Sequence, residues 1–196
     1  QGNSAAPQWA DAGGGAWEVV STHALSGSTS YIDSNGWSNS YAQYQLVFND
    51  IYYSNTSFKM HLRIYKDATS GNAGTLISSS GYAYGSTYEE QWAGGAPQRT
   101  GTWGDYHKLG NNSSGTYWNG YQTFPMQTFN GGGNVSSSWY GRTIRGGNLY
   151  TSDGGMYTNT KDQFMTGIRL YFYSADGTTA ISPSNGRVTF LRMKYS

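Results

Sequence analysis

Residues 57–66 read SFKMHLRIYK, and this stretch decides the fold. Phe58, Met60, Leu62 and Ile64 alternate strictly with Lys59, His61, Arg63 and Tyr65. A period of two sends successive side chains to opposite sides of an extended chain. One side is apolar and the other polar, so the segment reads as a strand with one face buried and one wet, His61 among the wet residues. Upstream, YAQYQLVFNDIYY at 41–53 repeats the pattern, with Tyr44, Leu46 and Phe48 on one face. Downstream, QFMTGIRLYFY at 163–173 sets Ile168, Leu170 and Phe172 together. In GRVTFLRMKY at 186–195, Val188 and Phe190 face one way and Leu191 and Met193 the other. The chain stops soon after, which suggests a C-terminus tied into a sheet.

Further strands are expected from Trp17, near 75–92, near 116–129 and over 137–146. Turns are expected at Asp33-Ser34-Asn35-Gly36, at 67–75 and at Asp153-Gly154, because Asn-Gly and Asp-Gly accept the positive φ of tight turns. The segment 93–115 reads as loop-rich. About ten short strands with no credible helix predict an all-β, antiparallel β-sandwich, jelly-roll-like and single-domain. The domain is expected over 16–196, after a flexible Gly/Ala-rich arm at 1–15.

Composition agrees. Aromatics make up 16% of the 196 residues, with 18 Tyr and 7 Trp, so a core can form although only 36% of residues are hydrophobic. Charged residues are 12%, about half the usual ~25%, and 28 glycines disfavour helices. A net charge of +1 gives no electrostatic pull toward nucleic acid or an anionic membrane. No run approaches the ~20 apolar residues of a membrane span. Cysteine is absent, which removes disulfides, thiol catalysis and Cys-based zinc sites. The polar start Gln1-Gly2-Asn3-Ser4 reads without a secretory signal.

A glycosidase needs two acids roughly 5–9.5 Å apart. The three glutamates are Glu18, Glu89 and Glu90. Neighbours in a strand point apart, so Glu89 and Glu90 cannot share a substrate. Glu18 lies opposite Trp17 and Val19. Asp105 or Asp162 could pair with one of the three, but no spacing favours it. His23, His61 and His107 show no metal-binding spacing. Nucleophile-elbow, P-loop and dinucleotide motifs are missing. The expectation is no enzyme, no cofactor and no metal.

The informative feature is aromatic rings among polar neighbours, at 82–92, 103–107, 117–121 and 139–140. Sugars stack on ring faces while Asn, Asp and Gln hold their hydroxyls. Trp92, Trp103, Tyr106, Trp118, Tyr121 and Trp139 are therefore the candidate ligand-binding residues, for a glycan or a partner. Core or subunit packing competes for every one of these rings, and the rings alone do not separate the two roles.

Gly2-Asn3-Ser4-Ala5-Ala6-Pro7-Gln8-Trp9, followed by Gly15-Ala16-Trp17-Glu18, resembles the start of many structural proteins of marine and environmental tailed bacteriophages. The resemblance continues through Ile32-Asp33-Ser34-Asn35, then Tyr41, Tyr44, Leu46, Val47, Phe48 and Ile51, then Leu62-Arg63-Ile64, and ends over Gly186 to Met193. Arg192 stands where such proteins often carry glycine. The likeness is clearest at 1–66 and 165–196 and fades between. It implies a virion surface protein: a tail fibre, tail-associated or capsid-decorating component, made in the bacterial host cytoplasm. Other virion proteins would be partners, met through the arm at Gln8 and Trp9. A homo-oligomer, by preference a trimer, and a host-surface glycan complete that expectation, with no nucleic acid and no membrane insertion. A freestanding carbohydrate-binding module or lectin is the alternative, and a glycan-degrading jelly-roll enzyme comes after it.

Overall fold

A computed structural model describes residues 17–54, 57–77, 83–90, 98–104, 106–112, 117–126, 135–145, 148–157, 164–174 and 176–194. Over 83–90 and 98–104, at 107, 108 and 110–112, over 135–139, at 145, and over 148–157 apart from Thr151, the description covers backbone only. Thirteen strands form among these residues: β1 Trp17–Ala24, β2 Tyr31–Asn35, β3 Tyr41–Tyr52, β4 Phe58–Asp67, β5 Thr75–Leu76, β6 Ala83–Glu90, β7 Gln98–Gly104, β8 His107–Asn112, β9 Tyr117–Pro125, β10 Val135–Arg145, β11 Asn148–Tyr157, β12 Phe164–Ser174 and β13 Asn185–Lys194.

They make two antiparallel sheets packed face to face. One has eight strands in the order β1-β13-β3-β9-β10-β11-β6-β7. The other has five, ordered β2-β12-β4-β5, with β8 also paired to β4. The chain crosses between sheets at each of its first steps: β1 and β3 lie in the larger sheet, β2 and β4 in the smaller. Its last two strands return between the first four, β12 between β2 and β4 and β13 between β1 and β3. That winding is jelly-roll-like.

The alternation read from the sequence decides the core. Phe58, Met60, Leu62 and Ile64 are fully buried, facing Leu46, Phe48, Val188 and Phe190 of the other sheet within one hydrophobic cluster. Ile168 pairs with Ile64 and Leu170 with Leu62, so the inward faces of β12 and β4 are continuous. Each such side chain contributes about 1.5–3 kcal/mol by leaving water. Trp37 plugs one end. It stacks on Tyr44 at 4.4 Å and meets Phe124 edge-on at 5.2 Å. Its indole N–H donates to Ser34 Oγ at 2.8 Å, which removes the cost of burying it. Gly36, at φ 75°, makes the bend that turns this ring inward.

Four expectations need correction. Asp33, Ser34 and Asn35 belong to β2, and the bend begins only at Gly36. Asp153 and Gly154 lie inside β11, paired to Tyr140 and Trp139 on one side and to Ser86 and Gly85 on the other. A turn dipeptide stays extended when strands hold it from both sides. The segment read as loop-rich at 93–115 contains β7 and β8. His61 and Tyr65, expected on the wet face, are buried, 5% and 7% exposed.

Candidate functional site

The side of the smaller sheet turned away from the core carries a connected set of rings and charges. Register builds it. Tyr31 of β2, Tyr171 of β12 and His61 of β4 are Cα partners in one row. Asp33, Arg169 and Arg63 form the next row, and Tyr173 and Lys59 a third. Each residue is the outward neighbour of a core residue in its own strand. No one segment of sequence contains the set.

Arg169 is its hub. The guanidinium donates from Nε and Nη2 to the two carboxylate oxygens of Asp33, the Nη2 bond being 2.6 Å. Such a fork fixes orientation as well as charge. Its carbon lies 4.3 Å from the centre of the Tyr31 ring, and Arg63 lies 5.1 Å from that of Tyr171. Both distances fall within cation–π range. Asp33 holds the Arg169 pKa above its ordinary value. Opposite Tyr65 on β12 stands Gly167, which has no side chain, and the Tyr65 hydroxyl reaches across to Asp33 at 3.0 Å. Burial, and then donation to that carboxylate, push the Tyr65 phenol up to about 12.

The rings continue sideways. Tyr171 stacks with Tyr173 at 5.6 Å and touches Tyr31 at 5.9 Å. His61 sits under Tyr106 at 4.3 Å and against Tyr173 at 5.0 Å. Those two rings explain its burial. Tyr31, 46% exposed, is the most open ring of the set, while Tyr106, Tyr171 and Tyr173 are half-buried.

The sequence candidates part company here. Tyr106 belongs to this surface. Trp118 does not: it is fully buried and packs on Phe58 at 5.7 Å, so its ring faces are closed to a ligand. This corrects its place among the ligand rings. Tyr121 is half-buried on the outward face of the larger sheet, in the row of Val47 and Arg142. Trp103 pairs through its backbone with Tyr84, and Trp139 with Gly154; their side chains lie outside the described residues. Trp92, Gln8, Trp9 and the whole arm 1–15 lie outside them too. Tyr31, Arg63, Arg169, Tyr171 and Tyr173 were missed. Their signal was present as the polar half of each alternating strand.

Among the carboxylates, Glu18 is bound by Lys194 at 2.9 Å and Arg192 at 3.0 Å. Lys194 first and Arg192 second hold its pKa below the usual range, and Glu18 raises that of Lys194. Glu89 and Glu90 pair through their backbones with Tyr150 and Leu149; their side chains lie outside the described residues. Among the described residues, no group of three His, Asp or Glu is placed to hold a metal, and no helix is long and apolar enough to cross a membrane. No protein-family model matches the chain, and no curated protein matches it.

Proposed function

We propose that this chain is a non-catalytic surface domain that binds glycan on the outward face of its smaller sheet. The setting is the one its resemblance implies, the surface of a tailed-phage virion, as a fibre, tail-associated or decorating protein made in the host cytoplasm. One observation carries the binding reading. The exposed Tyr31 and the half-buried Tyr171 and Tyr173 form a contiguous aromatic strip whose neighbour Arg169 is already locked by Asp33. The C–H face of a sugar ring is apolar and suits an aromatic face, while hydroxyls are served by guanidinium and phenol groups. Side chains fixed beforehand lose little entropy on binding. The non-catalytic part rests on Glu18, which two cations keep ionised and occupied, and on the adjacency of Glu89 and Glu90 in sequence, since strand neighbours point apart.

A glycan array probed with the purified protein tests this. Binding to at least one oligosaccharide is expected, weakened about tenfold in the double variant Tyr31→Ala, Tyr171→Ala, an effect of about 1.4 kcal/mol. An array without binding, or binding that survives the double variant unchanged, overturns the proposal. Trp17, Val19 and Val20 support a second reading, self-assembly. They are exposed on β1, the edge of the larger sheet, and an apolar sheet edge is a ready template for another chain. Val19→Lys should then lower the mass measured in solution.

A further inference from the structure

Where β1, β3 and β13 meet at one end of the larger sheet lies a depression of about 350 Å³. This volume is at the lower end of the range of about 300–1,000 Å³ for small-ligand pockets. Two irregularities make it. The β3–β9 ladder slips on β3 between Phe48 and Ile51, and the β3–β13 ladder slips on β13 between Asn185 and Arg187. Bulges of this kind bend a strand and re-aim its side chains.

The backbone there is held in an uncommon form. Asp50, at φ 51°, is the only non-glycine residue with positive φ among the described residues, and its N–H donates to Asn119 Oδ1 at 2.8 Å. Gly186, at φ 128°, lies so close that a Cβ would stand 2.7 Å from Ile51 Cα. The Leu25 N–H donates to the Gly186 carbonyl at 2.9 Å, which fixes the wall on the β1 side.

Four polar side chains line this frame: Asn49, Asp50, Asn185 and Arg187. Among the described residues none of them makes a side-chain hydrogen bond or ion pair, Asp50 and Arg187 included. Elsewhere in the fold, Asp33, Asp67, Asp176 and Glu18 are all engaged. The depression thus offers one carboxylate acceptor, one guanidinium donor and two amides that do both, with Ala24 and the buried Leu25 as its apolar part.

We infer that this depression is a second saccharide site, which takes one uncharged sugar unit. The charges of Asp50 and Arg187 cancel, so a phosphate or a carboxylate meets repulsion from Asp50. A single carboxylate beside a guanidinium is a poor cage for a divalent cation, which wants several oxygen ligands. Alternating donors and acceptors around a small apolar patch match the hydroxyls and C–H face of a sugar. The inference rests on the glycan reading for its ligand class but shares no residue with the platform.

The test is a backbone-amide NMR titration with glucose, galactose, mannose and N-acetylglucosamine in turn, then with phosphate and calcium. Saturable shifts are expected at Ala24, Leu25, Asn49, Asp50 and Asn185 to Arg187 with at least one sugar. Asn49→Ala and Arg187→Ala should each weaken them about five- to tenfold, as loss of one or two hydrogen bonds dictates. Asp50→Gly keeps the positive φ while removing the carboxylate, and should do the same. Sugar shifts confined to Tyr31, Arg169 and Tyr171 overturn this inference and leave the platform standing. Shifts confined to the depression support it and overturn the platform. Silence at both places overturns both. A depression that answers to phosphate or calcium but to no sugar overturns the ligand assignment.

Discussion

The outward face of the smaller sheet and the β1 edge of the larger one both carry large side chains open to water, and they are built differently. On the smaller sheet every large residue leans on another: Arg169 on Asp33 and Tyr31, Tyr65 on Asp33, and Tyr171 on Tyr173. On β1, Trp17, Val19 and Val20 stand exposed, and Glu18 alone in that stretch is clasped, by Arg192 and Lys194. A surface braced before it meets anything suits a ligand, because little freedom remains to be lost. A loose apolar edge suits a protein chain, which can cover it and pair with its backbone. Exposure alone would have ranked the two surfaces together; bracing separates them.

The largest effect should come from a ring on neither surface. Trp118→Ala is expected to lose about 3–5 kcal/mol in denaturant unfolding. A loss below about 1 kcal/mol would return Trp118 to the ligand rings and undo the division between core and platform. Next comes the brace. Asp33→Ala strands Arg169 and removes the acceptor of Tyr65, at a cost of about 2–3 kcal/mol. It should also weaken glycan binding, whereas substitutions on β1 should leave binding alone. Equal effects on both surfaces would erase the contrast.

A smaller effect concerns pH. Tyr65 has its pKa raised from 10.0 to about 12 in the folded chain. Its contribution is therefore complete below pH 10 and fades as pH rises toward about 12. Tyr65→Phe should be less stable than the parent at neutral pH, with the gap closing across that window in melting curves. A gap constant with pH would mean the phenol is not held by Asp33. The smallest effect belongs to Glu18→Gln. The Glu18 pKa is lowered from the ordinary 4.5, so its contribution is present above that value and is lost as pH falls below it. Parent and variant melting temperatures should converge in acid.

The core was legible because period two survives any tertiary arrangement. Phe58 to Ile64 needed no partner to be read as one buried face. The strand ends were less legible. Asp153-Gly154 marks a turn only where strands do not flank it on both sides, and one of its two flanking strands, β6, lies far back in chain order. His61 followed the alternation correctly and still became buried, because Tyr106, 45 positions on, returns to cover it. The platform was hidden for the same reason. Tyr31, Arg63 and Tyr171 are single outward residues in three strands, and only the register of β2, β12 and β4 makes them neighbours. Trp118, in contrast, sat in an aromatic, polar-flanked segment that looked like a site, and its strand turned it inward.

The most direct measurement is a crystal structure of the protein with an oligosaccharide to which it binds. The account predicts a sugar ring packed against Tyr31 and Tyr171 beside Arg169, with the Arg169–Asp33 fork unchanged from the free protein. A sugar seated away from that sheet face, or a fork that opens to admit it, would contradict the claim that this surface is prepared in advance.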